Sequence, residues 1–401
     1  MLIALIALAL NLRSPLTAIS PVIADIRADL GIGPAMAGLL TSIPVLCFGV
    51  LTPVASVLIA RVGIEASIFV TLGGLALGTV IRSAGGLFLV LAGTVVIGAA
   101  LTVGNIVCLM IIARDFPRRL NSVTGFYTSA LNVGTMLTSA LTAPLAGLFG
   151  WRAAIGFWVV LALVATLLWW RALRRRNDAL IAAPATAVTS LPPSRPVKTT
   201  ALPVRSTTSV WRSSLVWLLV LAFSTHLLLY YGLTAWLPAY LTQADGLDAT
   251  TAGFAASAFQ ILSLLGSFGV PVLATTWRIP RAWILIGVAA AWFVTSLGLL
   301  MAPGHWFLWS ITGGVACGGG FTAIFTLVMA RARDLDENRR ISSAVQGLGY
   351  ALAAVGPLAI GSLHQASGTW TSSFFLLCFA AVLMTSSGIG LLRSRRPGDV
   401  D

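Results

Sequence analysis

Charge is what this sequence has least of. Only 9% of its 401 residues are Asp, Glu, Lys or Arg, against about 25% in a typical soluble domain. No long polar block interrupts the chain to form a water-facing domain. Acid is scarcer than base, with 12 Asp and Glu against 25 Lys and Arg, and every acid lies in a loop or at a terminus. Paired membrane carboxylates for acid–base chemistry are therefore excluded. The three histidines, His226, His305 and His364, fall in separate segments and offer no His-rich metal site. Cys47, Cys108, Cys317 and Cys378 sit inside apolar runs without a C-x-x-C pair. They read as small buried hydrophobes, with neither a disulfide nor a metal framework. No G-x-x-x-x-G-K-S/T motif is present, which excludes ATP hydrolysis by a phosphate loop. No cofactor is implied.

What is present is apolar sequence, 58% of the chain. Runs bounded by turn or charge signals fall at 2–24, 36–60, 65–83, 87–113, 122–149, 152–171, 213–240, 251–276, 281–301, 305–330, 341–366 and 370–392. Each is about long enough for a tilted helix to cross the roughly 30 Å hydrocarbon core. The expected fold is an all-α integral membrane protein of twelve crossings. The first run is too long for a cleaved signal and carries its basic residue inside. Residues 172–212, rich in Ala, Pro, Ser, Thr and Arg, read as a flexible linker between two six-helix units, 1–171 and 213–392, with 393–401 as a tail.

The net charge of +13 has an orientational explanation rather than a nucleic-acid one. Of the 25 Lys and Arg, 21 fall on one side of the alternating loops. The exceptions are Arg27, Arg82 and Arg152 on the other side, and Arg13 within the first crossing. Basic loops stay cytoplasmic, so both termini and the central linker are expected inside a bacterial plasma membrane. The halves echo each other: Arg114 with Arg331, Pro144 with Pro357, Trp151 with Trp370. Their regular order is the mark of a duplicated unit. Glycine crowds the helices (39 residues), which permits close helix approach. Trp169, Trp170, Trp211, Trp217, Trp236, Trp306 and Trp370 lie at segment ends and read as interface anchors.

Twelve crossings in two repeats around a basic central loop resemble the major facilitator superfamily. That superfamily carries G-x-L-x-D-R-x-G-R-R between crossings two and three. Here Leu58, Arg61 and Gly63 match, Ala60 replaces the acid, and the second basic cluster is missing. The resemblance implies a gating role for Arg61 and Gly63. Within the superfamily, Asn11-Leu12-Arg13-Ser14-Pro15-Leu16-Thr17 with Pro21, Thr41-Ser42-Ile43-Pro44, and Tyr230 to Pro238 resemble the cyanate permease and 2-nitroimidazole transporter family. This implies alternating-access transport of a small anionic or weakly acidic solute by a monomer. Efflux of drugs or metabolites by the same superfamily is the alternative, and a non-transporting membrane sensor a remoter one.

Binding is expected near the midplane between the halves. A charge at that depth costs about 2.5–3.5 kcal/mol on insertion scales, so Arg13 should face a cavity. Its planar, permanently charged fork suits a carboxylate-like group. On a regular helix Thr17, Ser20 and Ala24 would share its face. His226 and Tyr230 stand one turn apart in the seventh crossing, with Tyr231 beside them. Asn105, Asn132, Gln260 and Tyr350 are the other deep polar side chains, each a candidate ligand or an interhelical bond. With no membrane acid, proton coupling would have to use His226 or the substrate itself.

Overall fold

A computed structural model describes residues 1–116, 119–182, 212–332 and 335–394. The regular elements among them are all helical. The first crossing is α1 (Leu2–Asn11), α2 (Ser14–Thr17), a 3₁₀ turn (Ser20–Val22) and α3 (Ile23–Leu30). This corrects the expectation of one continuous helix. Pro15 and Pro21 lack the N–H groups that would bond Asn11 and Thr17 carbonyls, so the ladder fails twice. The second crossing, α4 (Pro34–Val50) with α5 (Thr52–Val62), bends by 63° at Leu51, where Pro53 removes another donor.

Next come α6 (Ile64–Ser83), α7 (Leu87–Asp115), α8 (Leu120–Phe157) and α9 (Val159–Ala182). The stretch Val123–Arg176 is 54 residues of near-continuous helix, about 80 Å at 1.5 Å per residue. That exceeds two bilayer cores of about 30 Å. Gly150, with φ 81° and ψ 158°, breaks it into the fifth and sixth crossings in a conformation that favours glycine. The second half is α10 (Ser214–Ala244), α11 (Ala249–Thr275), α12 (Arg281–Met301), α13 (Trp306–Arg331), α14 (Leu335–Ala353) with α15 (Val355–Ser367), and α16 (Thr371–Arg393). Ten described helices are long and apolar enough to cross, eleven with the bent pair. Division at Gly150 brings the crossings to twelve.

Apolar side chains such as Phe88, Leu77 and Leu148 face outward, as lipid solvation requires. Between halves, the seal lies at the end remote from the basic loops. Gly38 meets the Pro357 carbonyl and Gly361 the Pro34 carbonyl. Leu358 N–H donates to Ser42 Oγ at 3.2 Å, and Ala35 N–H to Gln365 Oε1 at 3.1 Å. Within the second half, beside this seal, Trp236 Nε1–H donates to the Pro357 carbonyl at 2.9 Å.

Several expectations need correction. Helix α9 continues to Ala182, beyond the linker start at 172; residues 183–211, including Trp211, lie outside the described residues. Arg82 is not a loop residue. It is 1% exposed and donates through Nη1 to the Pro15 carbonyl at 2.9 Å, because that carbonyl sits where the first crossing breaks. Trp169 and Trp236 are buried rather than at a lipid surface. Arg61 is exposed beside Gly63 (φ 83°). The charge cluster at this end is instead Arg114 with Glu65 at 2.7 Å and Asp115 at 2.8 Å, with Arg176 at 3.9 Å from both acids.

Candidate functional site

The breaks in the first crossing set the site. Arg13 sits between α1 and α2 at φ −123° and ψ −21°. The polar residues around it brace the interruption. Asn11 Nδ2 donates to the Ala7 and Leu161 carbonyls at 2.8 and 3.1 Å. Thr17 and Thr138 hydroxyls bond at 2.7 Å, tying α2 to α8. Ser14 Oγ donates to the Leu10 carbonyl. Arg13 itself reaches inward, and its guanidinium carbon lies 5.5 Å from the centre of the Tyr230 ring, within cation–π range.

It reaches a cavity of about 550 Å³ lined by both halves. Arg13, Asn105, Asn132, His226, Tyr230 and Tyr350 all line it. Arg13 is the single charged side chain among the described lining residues, and none of the described ion pairs involves it. Thr17 and Tyr231 are not on this wall. With Arg13, Tyr230, Thr41 and Thr234 they line a second pocket of about 10 Å³, the size of one water. Adjacent helical residues point about 100° apart, which separates Tyr231 from Tyr230. The break before α2 separates Thr17 from Arg13. Ser20 is buried with its hydroxyl unpartnered. Gln260 lines neither space; it is buried and donates through Nε2 to Thr234 Oγ1 at 3.3 Å.

One wall is aromatic. Phe48 packs edge-on against Tyr350 at 5.3 Å between centroids, and Phe223 against Tyr350 at 5.4 Å. Hydroxyls that sequence reading missed, Thr124, Thr128, Ser263 and Ser267 among them, also line the cavity. Their only visible signal is i, i+4 spacing within apolar runs. Such hydroxyls usually satisfy themselves on their own helix, as Thr128 and Ser267 do on the Thr124 and Ser263 carbonyls. Spacing alone therefore could not select them. The lining residues of α7, α8, α11, α13 and α14 come from the halves nearer the basic loops, so the cavity faces that end while the opposite end is sealed.

This arrangement has relatives. The chain is 32% identical over 395 residues to an uncharacterised transporter, YycB, of Bacillus subtilis (strain 168), covering 98% of this chain and 93% of that protein. It is 30% identical to the 2-nitroimidazole transporter of Escherichia coli (strain K12), over 96% of this chain and 93% of that one. Identity to the cyanate transport protein CynX of the same organism is 26%, over 96% and 95% of the two chains. Among solved structures, a bacterial homologue of the human lysosomal transporter Spinster superposes with a TM-score of 0.74 at 16% identity, over 99% of this chain and 98% of the other. The model of the Major Facilitator Superfamily matches residues 2–354. Two helical halves around one shared cavity, whole-length relatives and this match agree: the chain belongs to the Major Facilitator Superfamily and is a membrane transporter, not an enzyme.

Proposed function

We propose that the transported solute is a small monovalent anion or a weak organic acid in its anionic form, held by Arg13. One observation carries this reading: Arg13 is the single charged side chain among the described residues lining a cavity shared by both halves. A unit charge 4 Å from another gains about 4 kcal/mol at an effective dielectric of 20. A monoanion neutralises the cavity. A dianion leaves a buried charge unmatched, which is costly, and a cation is repelled. The volume lies in the usual range of small-molecule sites, about 300–1,000 Å³, and exceeds what a three-atom anion needs. The aromatic wall of Phe48 and Tyr350 suits a flat organic ring. The relatives that carry 2-nitroimidazole and cyanate by name are in keeping with this class.

With the basic loops inside, the termini are cytoplasmic and the cavity faces the cytoplasm. Transport proceeds by rocking of the two halves, 1–171 and 213–392, around the Arg13 level. Tyr230 donates to the bound anion, and Asn105 and Asn132 orient it. Tyr231, Thr17 and Gln260 support Arg13 and Tyr230 from the sealed side.

The test is uptake of radiolabelled 2-nitroimidazole, cyanate and short monocarboxylates into proteoliposomes, with and without a pH gradient. Wild type should show saturable uptake that monocarboxylates inhibit and dicarboxylates do not. Arg13→Ala, folded, should lose about tenfold or more, as expected for a charge-assisted contact. Arg13→Lys should keep part of the uptake, since it retains charge without the fork. Undiminished uptake by Arg13→Ala would overturn the assignment.

A further inference from the structure

His226 lies on the cavity wall beside Tyr230, and its ring is pinned. Trp292 of α12 is fully buried, and its indole Nε1–H donates to His226 Nδ1 at 3.1 Å. The indole is donor only. Nδ1 must therefore present its lone pair, and the ring proton resides on Nε2. A flip of the ring would set Cδ2 against the indole N–H and orphan a buried donor. The same ring edge admits no slack, because Gly320 of α13 packs directly against Cγ, Nδ1 and Cε1; a methyl there would overlap the ring. Three elements thus fix one imidazole. Nε2 is not an orphaned buried atom, and no hydrogen bond from the described residues engages it, so it is the ring nitrogen that borders the cavity.

We propose that His226 is a fixed Nε2–H donor to the transported anion, and that Trp292 is the positioning residue that sets its tautomer. This rests on the anion reading above. It assigns His226 a hydrogen-bonding role rather than proton carriage. The anion then meets a charge from Arg13 in the N-terminal half and neutral donors from His226 and Tyr230 in the C-terminal half. A ligand bridging the halves in this way is what a rocking carrier requires.

Two measurements test the proposal. The first is ¹⁵N-histidine solid-state NMR of the full chain in bilayers. The three histidines are separable, and His226→Gln identifies the signal. Wild-type His226 should show the Nε2–H tautomer, cyanate should shift its Nε2 resonance, and Trp292→Phe should produce a tautomer mixture. The second is uptake by replacements that mimic one nitrogen each. The Gln amide reaches the Nε2 position and the Asn amide the Nδ1 position. His226→Gln should stay within about threefold of wild type, and His226→Asn should lose about tenfold or more, the worth of one good hydrogen bond to a charged partner. An Nδ1–H tautomer in wild type, an Nε2 signal indifferent to cyanate, or Asn performing as well as Gln would each overturn the proposal. If Arg13→Ala transports normally while the tautomer and cyanate shift hold, the Arg13 clamp falls and the His226 assignment stands.

Discussion

At the scale of single residues, size decides as much as charge. Gly266 of α11 lies against the Val315 carbonyl and the Gly319 amide of α13. A methyl group there meets backbone, which cannot swing aside. Gly269, one turn further along the same helix, has open space around it. Gly266→Ala is expected to destabilise by about 1–3 kcal/mol, the usual cost of overpacking. Gly269→Ala should be neutral or stabilise by up to about 1 kcal/mol through helix propensity. Thermal unfolding in detergent checks both, and equal behaviour would contradict the α11–α13 packing. Arg13 was legible from sequence because a charge inside an apolar run is costly in lipid and needs a cavity or a partner to receive it. Trp292 was not. Its residue type fits any apolar helix, and its role exists only through the His226 ring packed against it.

At the scale of elements, the broken first crossing is the device that delivers Arg13. Pro15 withholds a backbone donor, α1 ends at Asn11, and Asn11 and Thr17 tie the loose ends to α9 and α8. Pro15→Ala restores a donor for the Asn11 carbonyl and lets α1 run on into α2. The melting temperature should hold or rise, because the helix ladder is completed. Uptake should fall about tenfold or more, because misplacing a positioned group by about 1 Å can cost a hundredfold. Full uptake with unchanged stability would mean that the break does not position the site. The prolines were visible in the sequence. The carbonyls they orphan follow from i−4 counting, but that Arg82 would bond the Pro15 carbonyl depended on the neighbouring helices.

At the scale of the molecule, the described residues of the two halves seal the end remote from the basic loops. Ala35 and Gln365 touch across that seal, and the native cysteines are all buried. Ala35→Cys with Gln365→Cys, joined by a short thiol-to-thiol linker, should arrest uptake, and a cleavable linker should restore it on reduction. Uptake that continues through the cross-linked state would refute alternation about this seal. The internal repeat does not make the halves identical. Pro21 interrupts the first crossing, whereas Pro238, in the first helix of the second half, sits inside an unbroken α10. Hydropathy constrains where helices begin and end, but not whether neighbours supply the bonds that a proline removes.

By itself the sequence determined the solvent, the number of crossings and the place of Arg13 within the first crossing, though not the burial of Arg82. All of these follow from hydropathy, run length and the cost of placing charge in lipid, which are properties of the chain read in order. Only the tertiary structure decided which polar side chains share the cavity with Arg13. Asn105, Asn132, His226, Tyr230 and Tyr350 are there; Thr17, Tyr231 and Gln260 are not. The physical reason is that depth along a helix can be counted from the sequence, whereas the direction a side chain faces depends on breaks, bends and crossing angles. Those are fixed by contacts between residues more than a hundred positions apart, such as Thr17 with Thr138 and Trp236 with Pro357.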